Sequence, residues 1–78
     1  MLNITDRNRS FMLNTEESLD LELKLNVTQY GHHWKSIGDV LYDHAIKKIS
    51  DYNLIVTNEQ YNFLEKLLTM TKKECESF

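Results

Sequence analysis

From Leu19 to Thr28 the chain alternates without a slip: Leu19, Leu21, Leu23, Leu25 and Val27 are apolar, and Asp20, Glu22, Lys24, Asn26 and Thr28 are polar. Leucine, glutamate and lysine favour helices, but on a helix this order scatters the leucines over opposite faces, whereas on a strand it gathers them on one side. The period of two predicts a strand with a buried leucine face and a solvated charged face, as in an antiparallel sheet. Residues 2–5 and 10–14 predict two shorter strands on either side of the turn-forming Asp6-Arg7-Asn8, with Asn14-Thr15-Glu16-Glu17 as the following turn.

The period changes after Ser36. Ile37, Val40, Leu41, Ala45 and Ile49 recur at helical spacing, and Ser36 stands three residues before Asp39, which predicts an N-cap with the helix beginning at Ile37. His44 falls on the inner stripe, and Asp43 precedes Lys47 by one turn on the outer surface. Thr57-Asn58-Glu59-Gln60 has the form of a capping box and predicts a second helix over 58–73, after a short strand at 54–56. On that helix Tyr61, Leu64, Leu68 and Cys75 form one stripe, which Phe63, Leu67 and Met70 widen to nearly half the circumference. The elements predict a single small α+β domain over 1–78: an antiparallel sheet of about three N-terminal strands packed against two C-terminal helices.

Length sets the first functional limit. A chain of 78 residues buries a small share of its surface and leaves little material for a pocket with supporting residues around it, so a binding role is expected ahead of an enzymatic one. Nine basic against twelve acidic residues give a net charge of −3, and the basic ones come in scattered pairs, Arg7 with Arg9, Lys47-Lys48 and Lys72-Lys73. That disfavours nucleic acid, whose phosphates call for clustered positive charge. A DNA-binding regulator would have to use Lys66, Lys72 and Lys73 of the second helix, where Glu59, Glu65, Glu74 and Glu76 lie alongside. The opening residues lack the pattern of a secretory leader and no apolar run approaches the ~20 residues that cross a bilayer, so a cytoplasmic protein with no membrane contact is expected. In that setting the acceptor-like Asn3-Ile4-Thr5 and Asn26-Val27-Thr28 are chance matches.

The stretch Gly31-His32-His33-Trp34 and the residues after it hold all three histidines and the single tryptophan. A metal would draw on His32 or His33, Asp43 and His44, but these lack converging ligand spacing, and neither metal nor cofactor is expected. His44 reads as a core histidine with one ring nitrogen hydrogen-bonded. Cys75 reads as a small apolar side chain on the last helical turn, since nothing around it marks an activated thiol. Tyr30, His32, His33 and Trp34 form an aromatic-rich connection of the kind that contacts partners, although Trp34 can equally fold down onto Val40 or Leu41. Phe63 and Met70, at the margin of the broad apolar arc, complete the expected partner-binding set. The reading is a small acidic binding protein that attaches to another protein and modulates or inhibits it, with self-association as a further option. Small inhibitors of phages and mobile elements share this profile. The alternative is an oligomer that sequesters a nucleotide-like small ligand.

Overall fold

The computed structural model describes residues 1–47 and 50–78. Strands β1 (Leu2–Thr5) and β2 (Ser10–Leu13) form an antiparallel hairpin in the predicted register window, with Ile4 opposite Phe11. The Asp6 carboxylate shapes the turn between them, accepting the amides of Asn8 and Arg9 (both 2.9 Å) and the Arg9 guanidinium. β3 (Tyr52–Ile55) lies on the other side of β1 and runs parallel to it, Ile4 facing Leu54, so the strand order is β2-β1-β3. The architecture is α+β, but the three-stranded sheet is mixed, not antiparallel, because its third strand comes from residues 52–55 and not from 19–28.

That alternating segment is helix α1 (Thr15–Val27). Asn14 caps it reciprocally: its side chain accepts the Glu17 amide at 2.8 Å, and the Glu17 carboxylate accepts the Asn14 amide at 2.9 Å. Wound at a helical period, the leucines divide. Leu21 and Leu25 join Ser18 in the core, while Leu19 and Leu23 face outward. Lys24, which alternation assigns to water, has a buried stem and reaches Asp20 at 2.7 Å with its ammonium.

A single 3-10 turn, Gln29–Gly31, leads to α2 (Lys35–Ile46). This helix starts earlier than Ser36 predicts. Trp34 occupies the N-cap position through its carbonyl, which accepts the amides of Ile37 and Gly38, and Ser36 sits exposed in the first turn. Ile37, Leu41 and His44 form the buried stripe, and Ile49 lies outside the described residues. The second predicted helix divides into α3 (Asn58–Leu68) and α4 (Lys72–Cys75). The Thr69 hydroxyl donates to the Lys66 carbonyl at 2.8 Å at the end of α3, and Thr71 with Glu74 forms a fresh capping box that restarts the chain. Among the described residues there are thus four helices, interleaved with the strands and not gathered at the C-terminus. The core they enclose is led by Leu2, Ile4, Leu13, Leu21, Leu25, Leu41, Leu64 and Leu67.

Candidate functional site

The connection between α1 and α2 is fixed by its own backbone. Thr28 accepts the Tyr30 amide with its hydroxyl oxygen and donates that hydroxyl to the Leu25 carbonyl at 2.7 Å. Trp34 donates its amide to the Tyr30 carbonyl, and the Gln29 amide reaches the carbonyl of Phe78 (both 2.9 Å). Gly31 is a steric requirement here: a Cβ would stand 3.2 Å from both the Asn26 Cα and the Leu25 carbonyl oxygen.

On this frame four aromatic rings assemble. Tyr30 stacks on Trp34 with centroids 4.8 Å apart, and Phe63 from α3 meets both edge-on at 4.9 and 5.2 Å. Phe78 touches Phe63 at 6.2 Å and carries the Lys66 ammonium 4.5 Å above its ring. All four rings are half-buried. Of the six residues singled out in the sequence, Tyr30, Trp34 and Phe63 are therefore brought together. His33 is exposed against the edge of the cluster, its ring 6.5 Å from that of Tyr30. Exposed His32 lies beside it, and Met70 is half-buried against the core. Phe78 and Lys66 were missed, because nothing in the local pattern ties the last residue to a ring some fifteen positions earlier; the pairing exists only once α4 turns the chain back.

His32 also lines an open cleft of about 330 Å³ between α1 and α2. Glu22 and Asn26 form one wall and Lys35, Asp39 and Tyr42 the other, with Lys35 and Asp39 paired at 3.5 Å. Gly38 keeps the cleft wide. A Cβ there would meet only the Leu25 Cδ2, at 3.9 Å, so the packing of α2 does not require glycine.

His44 belongs to a different region. It is buried and hydrogen-bonded through Nδ1 to the Ser18 Oγ at 2.7 Å, across the α1/α2 contact. Burial holds its ring pKa below the usual histidine value; the N-terminal ammonium pushes the same way and Asp51 opposes both. Ser18 is fully buried, so its hydroxyl serves packing and is closed to a substrate. Cys75 is equally enclosed, and burial raises its thiol pKa, which keeps it in the unreactive neutral form. At the far end of the sheet, Asp6 also accepts from Asn58 of α3, and Arg9 spans from Asp6 to Asn62 (2.8 Å) over the Tyr61 ring. The Asn8 amide leads the hydrogen bonds that hold the Asp6 carboxyl below its usual pKa.

Among the described residues no three His, Cys, Asp or Glu side chains converge as metal ligands, and no helix is long and apolar enough to cross a membrane. The chain matches no protein-family model, no curated protein and no solved structure.

Proposed function

We propose that this chain is a small non-enzymatic binding protein that attaches to another protein and modulates it. The observation that carries the reading is the half-exposed cluster of Tyr30, Trp34 and Phe63 with His32 and His33 at its rim. Stacked rings on a hydrogen-bonded connection offer contact area that loses little conformational entropy on binding, and the two histidines supply adaptable polar contacts beside them. Met70 sits on the same broad face of the chain's C-terminal half in the sequence pattern and remains in the partner-binding set. The test is affinity capture from the native host with wild type and with the double variant His32→Ala, His33→Ala, followed by titration of any captured protein in pure form. A partner bound by wild type and weakened in the double variant at unchanged melting temperature supports the reading. Equal binding by both removes the loop from the interface.

The cleft beside His32 favours a second reading, an oligomer or monomer that holds a small nucleotide-like ligand. Its volume is at the lower end of ligand sites, and its walls offer Lys35, Asp39, Glu22 and the Tyr42 ring. Thermal stabilisation by a pure nucleotide or related metabolite, lost in Lys35→Ala, separates this reading from the first.

A further inference from the structure

β3, Tyr52-Asn53-Leu54-Ile55, is an edge strand without a charge or a proline. Its inner side is fixed to β1: the amides of Tyr52 and Val56 donate to the carbonyls of Met1 and Thr5, at 3.3 and 2.9 Å. Backbone groups in a parallel ladder turn to alternate sides, so Asn53 and Ile55 aim their N–H and C=O groups away from β1. Among the described residues no other strand meets them. Ile55 is 76% exposed, the most of any large apolar side chain described, and Tyr52 is also exposed. Beside Tyr52 lies a mostly apolar crevice of about 110 Å³, walled by Val40, Asp43 and His44 of α2. Natural edges are usually guarded by lysine, proline or a bulge, and this one has none of these.

We propose that two copies of the chain associate through this edge, β3 pairing antiparallel with β3 of the second copy about a twofold axis to give a continuous six-stranded sheet. The edge complements itself. With the axis at Leu54, Asn53 of each copy faces Ile55 of the other, and the two outward N–H groups and two outward C=O groups on each side form four hydrogen bonds. The two Ile55 side chains come together on the open face of the sheet, and Leu54 of one copy comes beside Tyr52 of the other, next to the apolar crevice. The same register sets Asp51 against Thr57, so no like charges meet. A four-residue pairing buries less than the ~1,200 Å² of a standard stable interface, which makes this a weak dimer that forms in the micromolar-to-millimolar range. It does not depend on the loop of Tyr30 to Trp34 being a partner site.

The experiment is sedimentation equilibrium of the full chain from micromolar to millimolar concentration, with hydrogen exchange read at single amides. The mass should rise from 9.3 kDa toward twice that value, with the Asn53 and Ile55 amides becoming slower to exchange as it does. Ile55→Pro removes an outward amide and no bond to β1, and should hold the chain monomeric with its fold intact. Ile55→Lys leaves the backbone unchanged but sets two ammonium groups side by side, and should do the same; it decides the matter if the proline variant fails to fold. Met12→Lys alters another exposed apolar side chain, 60% exposed on the opposite edge strand, and should leave the dimer unchanged. A wild type that stays monomeric throughout, or a dimer lost equally in Met12→Lys, overturns the proposal.

Discussion

Ser18→Ala deletes one oxygen from the most enclosed polar contact in the molecule. It leaves Nδ1 of His44 facing apolar side chains with no water to replace the lost partner. An abandoned buried acceptor or donor costs about 1–3 kcal/mol, and in a domain of this length each kcal/mol lowers Tm by about 4–8 °C. Taking about 2 kcal/mol, the variant should melt about 8–16 °C below wild type. The cost should disappear in the His44→Leu background, where Ser18→Ala should change stability by only a few tenths of a kcal/mol, because no polar group is then left stranded. Thermal and urea unfolding followed by circular dichroism complete the cycle. The His44 ring also fixes a pH dependence. Its folded-state pKa is lowered, so the unfolded chain binds more protons between that value and the ordinary one near 6.5. The stabilising effect of a neutral ring is full above about 6.5 and is lost as pH falls toward the folded-state pKa, a slope that His44→Leu should flatten. Equal costs of Ser18→Ala in both backgrounds, with an unchanged pH slope in His44→Leu, would refute the reasoning.

Leu64→Ala should cost about 2–5 kcal/mol in urea unfolding, since the side chain is fully enclosed between α3 and the sheet. The two glycines should respond in opposite senses: Gly31→Ala destabilises because its methyl meets backbone atoms, whereas Gly38→Ala stabilises by about 0.5–1 kcal/mol because its methyl has room and glycine disfavours helix. Thr71→Ala removes the cap of α4 and should cost about 0.5–2 kcal/mol, seen also as faster exchange of the Glu74 amide. Below the ordinary carboxylate range a further acid transition should appear as Asp6, Asp51 and Glu74 protonate. Their folded-state pKa values are lowered, so their stabilising effect is present above the unfolded values and disappears as pH falls through the folded ones; Asp6→Asn should diminish that transition.

The hairpin of β1 and β2 and the start of α3 were legible because each had a local cause, turn residues in the first case and a Thr-x-x-Gln box in the second. The same grammar stood before α1 as Asn14-x-x-Glu17 and before α4 as Thr71-x-x-Glu74, and there the period of the following residues was allowed to overrule it or the helix was run through it. Leu19 and Leu23 created the false alternation. They are apolar residues left on the outside of a helix, and no one-dimensional pattern distinguishes a leucine in water from one in a sheet. Ser36 misled in a different way, since Trp34 begins α2 with its backbone alone and leaves the serine without a capping role. At the candidate site, the loop and Phe63 could be picked out by composition, but their meeting could not. It depends on α3 lying across the α1 to α2 connection, a tertiary fact with no local signal.

The placement of β1 at the centre of the sheet also sets the order in which the chain can finish folding as it is synthesised. β1 is made first and meets β2 within a dozen residues, but its other neighbour begins opposite Leu2 at Tyr52, and the Met1 ammonium waits for Asp51, 50 positions later. Until then Leu2 and Ile4, both fully buried in the finished fold, belong to a two-stranded ribbon with one side open, which is at best marginal by itself. A nascent chain halted before residue 51 thus holds a hairpin and two helices but no closed core. The last third of the sequence converts them into a domain in one cooperative step, and that step is paced by a contact spanning most of the chain.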